Sequence, residues 1–221
     1  MNLPDTLLDK GWYWAAWLVW LPLFVRSVWR APWRRLKVSE QLNVWLGMNV
    51  ALTLIWSMQA GVQPGLSLHL IGATVFTLCF GPQLAFVGLS LVAAAVAFNS
   101  GGGWLAYAAN TVLGAGIGIG LSHLLYRLLS AVLPRHLFVY LFAYGFFAAA
   151  LAVIGVGLAV STLLALAGAY PWDYLFAEYF PYFILLGFSE AWLSGMAMTL
   201  FVVYCPGWVG TFDDAQYLAN K

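Results

Sequence analysis

The charged side chains of this chain stand almost entirely between long apolar runs, and that placement excludes a water-soluble fold. Of 221 residues, 63% are hydrophobic and 8% charged. A soluble domain needs a charged exterior to cover its core, and this sequence has too few charges to supply one. The chain is therefore read as resident in a lipid bilayer. Its chemistry must lie in the few polar groups left at membrane depth or at the helix mouths.

Seven apolar segments are expected to be helices: Gly11–Trp29, Asn43–Ala60, Leu66–Phe80, Gln83–Phe98, Trp104–Arg127, His136–Ala167 and Pro181–Tyr204. The first is about the length needed to cross the hydrocarbon core, and the third and fourth are short, about 15 residues each. Arg26, Arg30, Arg34, Arg35 and Lys37 follow the first segment, and Arg127 and Arg135 flank a later junction. Lys and Arg accumulate on the cytoplasmic side. Alternating the segments leaves Lys10 alone outside, and Asp5, Asp9, Asp173 and Glu178 fall on that outer face. The expectation is an all-α polytopic membrane bundle of about seven transmembrane helices. Its N-terminus is outside, its C-terminus cytoplasmic, and residues 1–221 form a single transmembrane domain. The first run has its positive charges behind it and no small-residue cleavage site, so it reads as a retained helix and not a signal peptide.

Gly81-Pro82 separates the third and fourth segments, because proline breaks the helix ladder and biases the residue before it away from the helical region. Two readings stand: a break that marks a site, since irregular backbone at depth must be covered by protein, or a plain helical hairpin. Gly114 and Gly118 are expected to share a helix face and allow close packing within the chain. Tryptophans and tyrosines near the predicted interfaces form an aromatic belt. Cys79 and Cys205 have no disulfide or metal-ligand spacing. With a formal net charge of +1, no global field attracts nucleic acid. No phosphate-binding loop, HExxH or Gly-x-Ser-x-Gly motif is present, and no nucleophile–base pair is visible, so an enzyme is not expected.

His123 and His136 flank the basic Arg127–Arg135 junction and read as interfacial. His69 differs, since it opens the third segment on the outer face, where the N-terminus also lies. Met1 is expected to persist, because Asn2 is too large for its usual removal. Its α-amine has a reference pKa near ~8 and can bind a metal once deprotonated. Borderline divalent ions favour such nitrogen ligands. Glu190 and Asn110 are polar groups inside apolar segments, and a buried carboxylate is a functional candidate by default. A structural hydrogen bond between helices is the other reading of Glu190, while Asn110 reads as a group that orders its neighbours or bridges helices.

Met1-Asn2-Leu3-Pro4-Asp5 resembles the Met-His-Ile-Pro-Asp start of the substrate-capture subunits of cobalt and nickel energy-coupling-factor ABC transporters. Ser67-Leu68-His69-Leu70-Ile71-Gly72-Ala73 with Phe80-Gly81-Pro82 is similar to their His-x-x-Gly-Ala…Leu-Gly-Pro helix. The stretch from Gly101 through Asn110 to Gly114, and Gly187-Phe188-Ser189-Glu190 through Gly195, resemble two further blocks. Tyr204-Cys205-Pro206 stands where the family closes on Arg-x-Arg-Pro. The blocks occur in the family's order across nearly the whole chain.

The resemblance implies a near-planar nitrogen site built from the terminal amine, residue 2 and the histidine aligned with His69. Met1, Asn2 and His69 are then the metal residues, with Asp5, Asn110 and Glu190 behind them. Asn2 replaces the family's histidine and offers an amide oxygen, a harder donor. The implied function is a permease or substrate-capture subunit in the bacterial inner membrane. It has no permanently bound cofactor. It imports a divalent transition-metal ion, nickel or cobalt first and copper or zinc next. It works with a transmembrane coupling subunit and cytoplasmic ATPase subunits. The alternative is an accessory or structural membrane subunit that keeps the fold without metal transport.

Overall fold

The structure, a computed structural model, describes residues 3–63, 66–99 and 103–217. Among the described residues, six long helical elements carry the chain: α1 Lys10–Arg30, α2 Ser39–Ser57, α3 Ala73–Asn99, α4 Tyr107–Val132, α5 Leu137–Leu166 and α6 Trp172–Tyr204. The last three each contain a stretch of wider π-helical winding: Thr111–Gly116, Tyr140–Phe147 and Leu175–Tyr179.

α3 is bent back on itself. Gly81 takes φ 80° and ψ 165°, outside the helical region and open chiefly to glycine. A Cβ on Gly88 would lie 2.6 Å from Cζ of Phe76. In a straight helix those two residues would be about 18 Å apart along the axis, so the two arms are folded together. The hairpin reading of Gly81-Pro82 therefore holds, and the six elements form seven helical runs among the described residues, of which the first arm of the hairpin, 73–80, is the shortest.

The hairpin is the centre of the bundle. Its most apolar window is 78% buried, against 33%, 44% and 39% for α4, α5 and α6. It packs against α1, α2 and α4, while α5 and α6 pack on each other. By length and composition, α3, α4, α5 and α6 are long and apolar enough to cross a membrane. Side chains such as Trp14, Trp29, Leu54, Phe98, Leu185 and Trp192 stand exposed on the outside, where only lipid tails make such exposure favourable.

Three local expectations are corrected. Leu66–Leu68 is not the start of a helix but the strand β2, paired antiparallel with β1, Ala60–Gln63, in the register Ala60↔Leu68 and Gly61↔Ser67. His69 accordingly lies in the link before α3 and not on a helix. The third correction concerns the glycines. A Cβ on Gly118 would lie 3.1 Å from Cβ of Ala73, but one on Gly114 would meet nothing within 4 Å. Gly114 sits in the π-helical stretch, whose wider turn shifts the phase on which the i, i+4 pairing relied.

Candidate metal-capture site

The end of the bundle that holds His69 is organised by hydrogen bonds that the apolar sequence around them makes obligatory. Buried peptide groups outside regular structure need partners. Two lie in the link between β2 and α3. The buried carboxylate of Glu190, from α6, accepts the N–H of Ile71 at 2.8 Å on Oε2 and the N–H of Gly72 at 2.6 Å on Oε1. These are first-turn donors ahead of α3, where a helix has no internal acceptors and favours an anion. Gly72 has φ 71°, and a Cβ there would lie 2.3 Å from Cδ2 of Leu52. The glycine is thus required both by backbone conformation and by space. Of the two readings of Glu190, the structural hydrogen bond between helices is the one that the geometry supports: it fixes the peptide that follows His69.

His69 is buried, with its ring 4.5 Å from that of Trp56 at the end of α2. Trp56 in turn donates its indole N–H to the carbonyl of Ile71 at 3.1 Å. Nδ1 of His69 lies 3.0 Å from the carbonyl oxygen of Leu70. A carbonyl only accepts, so Nδ1 carries the proton, and in the neutral ring Nε2 then has the lone pair. This tautomer is the one metal-binding histidines use when backbone holds the other nitrogen.

The N-terminal segment is fastened beside it. Asn110 in α4 accepts the N–H of Leu3 on Oδ1 at 2.7 Å and donates its amide N–H to the carbonyl of Leu3 at 3.0 Å. The side chain thus reads one residue's backbone in both directions. Asp5 accepts the N–H of Ala106 at 2.6 Å and of Leu105 at 3.4 Å, the donors that open α4. The Tyr13 hydroxyl donates to the carbonyl of Pro4 at 2.5 Å and accepts the N–H of Leu8 at 3.1 Å. Leu3 is 1% exposed. The segment is therefore anchored in the core through Leu3 and Leu8, while Pro4 and Thr6 stay exposed.

His69 and Asn110 line the same small cavity, of about 20 Å³, together with Trp56, Gln59, Tyr107 and Gly103. Met1 and Asn2, the other two expected metal residues, lie outside the described residues. Among the described residues, no three His, Cys, Asp or Glu side chains come together as a metal cluster. The structure thus brings His69 and Asn110 to one cavity, puts Asp5 two residues beyond the anchored Leu3, and places Glu190 behind the His69 link. Sequence reasoning missed Tyr13, Trp56 and the β-hairpin. The Pro64-Gly65 dipeptide was a turn signal for the hairpin, but no local signal singled out the two aromatics among so many.

A multi-pass helical membrane protein, with a small cavity lined by a histidine and by the asparagine that anchors its N-terminal segment, is the class these features define. Two solved structures share the architecture, both of transition metal transporters. One, a truncated form, superposes with a TM-score of 0.80 at 19% identity, covering 92% of this chain and 99% of that one. The other gives 0.77 at 19% identity, covering 92% and 93%. No curated protein sequence matches the chain. The family model for the cobalt uptake substrate-specific transmembrane region, CbiM, matches residues 2–208, and the chain belongs to that family. Its members are membrane components of metal uptake and not enzymes.

Proposed function

We propose that this chain is the substrate-capture subunit of an energy-coupling-factor ABC importer, a single membrane domain that takes a divalent transition-metal ion, cobalt or nickel first. Copper and zinc come next, as ions that also favour nitrogen donors. Its proposed setting is the bacterial inner membrane, with the His69 end outside. A transmembrane coupling subunit and cytoplasmic ATPases supply the energy, since the chain carries no phosphate-binding loop.

One observation carries the reading: Asn110 grips both backbone groups of Leu3 and also lines the cavity of His69. Two residues span at most about 7 Å, so the chain ahead of Leu3 begins within reach of that cavity. The amine of Met1, the backbone and side chain of Asn2, and Nε2 of His69 then form the donor set, with Asp5, Asn110 and Glu190 holding it in place. The metal chemistry is ligand exchange: an ion sheds water for nitrogen donors as the amine loses its proton.

Isothermal titration of the full chain, tagged at its C-terminus, tests this. His69→Ala should weaken binding of Ni²⁺ or Co²⁺ more than tenfold, about 1.4 kcal/mol. Asn2→His should strengthen it by adding an imidazole. If neither the native protein nor Asn2→His binds any transition metal, the chain is a subunit that keeps the fold without the metal. The orientation has its own test: an impermeant thiol reagent should reach Gly102→Cys from outside and Asp214→Cys only once the cytoplasmic face is opened.

A further inference from the structure

At the end of the bundle away from His69, a cleft of about 200 Å³ opens between α1, the tip of the α3 hairpin and α4. Its walls change character with depth. Leu23, Phe86 and Ile119 line the part nearer the middle of the bundle, and Arg26, Arg30, Ser27 and Gln83 line the part nearer the helix ends. Arg26 and Arg30 are one turn apart on α1, so both guanidinium groups approach the cleft from one side. Neither makes a hydrogen bond or an ion pair among the described residues. The opposite wall is bare backbone, because α4 presents Gly116 and Gly120 there, and a Cβ on Gly120 would meet nothing within 4 Å.

Two unneutralised guanidinium groups over an apolar floor, at the C-terminal end of α1, ask for an amphiphile with a compact anion. Arginine forks match phosphate oxygens in pairs. The glycine wall and the Leu23–Phe86–Ile119 floor admit a hydrocarbon chain that a free anion would leave unfilled. Basic pockets between membrane helices are suited to such headgroups. A soluble protein's carboxylate meets the charge but not the floor.

We propose that this cleft binds an anionic phospholipid, its phosphate between Arg26 and Arg30 and an acyl chain along Leu23, Phe86 and Ile119.

Native mass spectrometry of the full chain in neutral detergent, titrated with phosphatidylglycerol, phosphatidylcholine or inorganic phosphate, tests it. One phosphatidylglycerol should bind saturably, at least tenfold more tightly than phosphatidylcholine, and phosphate alone should not compete at matched concentration. Arg26→Gln with Arg30→Gln should lower that affinity at least tenfold. Gly120→Leu should do the same with both charges intact, by filling the cleft. Melting of each variant without added lipid separates misfolding from loss of the site. Equal binding of the two lipids, or competition by phosphate, overturns the proposal. So does undiminished lipid binding by either variant. If the arginine variants bind lipid normally but fail to co-purify with another membrane protein, the cleft is a protein-docking site and the proposal falls.

Discussion

The two ends of this bundle are each closed by a terminal segment of the chain, but by different chemistry. At the Arg35 end the closure combines backbone pairs with side-chain bonds, among them Gln41 to the carbonyl of Gly207 and the Thr211 hydroxyl to that of Leu78. Pro82 has no N–H to give to the carbonyl of Leu78, and the bend at Gly81 carries the next donor away from that of Cys79. The segment after α6 supplies the replacements: Gly210 N–H donates to Cys79 at 2.9 Å and Thr211 N–H to Leu78 at 3.2 Å. Arg35 secures the plug, donating to the carbonyl of Trp208 at 2.9 Å while its guanidinium lies 5.0 Å from the Phe80 ring. Burial pushes the Arg35 pKa below its usual value, yet an arginine stays charged across the accessible pH range. At the His69 end the closure is made by side chains, with Asn110, Asp5 and Tyr13 holding the backbone of residues 3–8. The plug end thus adds peptide–peptide bonds to its side-chain tethers, whereas at the His69 end, among the described residues, side chains hold residues 3–8.

That contrast can be broken most forcefully at the plug. A Cβ on Gly210 would lie 2.0 Å from Nη1 of Arg35 and 2.8 Å from the carbonyl oxygen of Cys79. Gly210→Leu should therefore displace the segment and cost about 3 kcal/mol, seen as a large drop in melting temperature in detergent. An unchanged melting temperature would mean that the plug does not support the hairpin.

Glu190→Gln comes next. The amide keeps one acceptor and turns an N–H₂ toward a backbone donor, which should cost about 1–3 kcal/mol. Because the peptide that follows His69 is loosened, metal affinity should fall as well. A variant of normal stability and normal affinity would remove Glu190 from the site's support.

Asn110→Asp sharpens the comparison by separating stability from function. The carboxylate still accepts the Leu3 N–H but faces the Leu3 carbonyl with no donor, at a cost of about 1 kcal/mol. The melting temperature should fall modestly while metal affinity drops tenfold or more in titration. Unchanged affinity would show that the N-terminal segment is no part of the site.

The smallest effect should come from Gly114→Ala, within about 0.5 kcal/mol of native stability. Gly118→Ala, pressed to 3.1 Å of Ala73, should be the more damaging of the pair. The reverse order in thermal melts would restore Gly114 as the packing glycine.

The sequence by itself determined that this is a membrane bundle, because a chain so poor in charge cannot cover its apolar residues against water. It also determined the breaks between helices, since Gly81-Pro82 and the arginine-rich segment act through backbone geometry and interfacial charge, which are local. It singled out His69, Asn110 and Glu190, because polar groups in apolar runs are conspicuous. Their partners were beyond its reach. Glu190 bonds to peptides 119 and 118 positions away, and Asn110 to one 107 away. A hydrogen bond of that kind is specified by the recipient's backbone, which every residue carries alike, and so leaves no mark in the recipient's sequence. The same holds for the peptide N–H groups that Gly210 and Thr211 of the plug donate to Cys79 and Leu78. Only the tertiary structure could decide that Glu190 braces the link after His69, that Gly118 and not Gly114 makes the close contact, and that Leu3 and Leu8 anchor the N-terminal segment in the core.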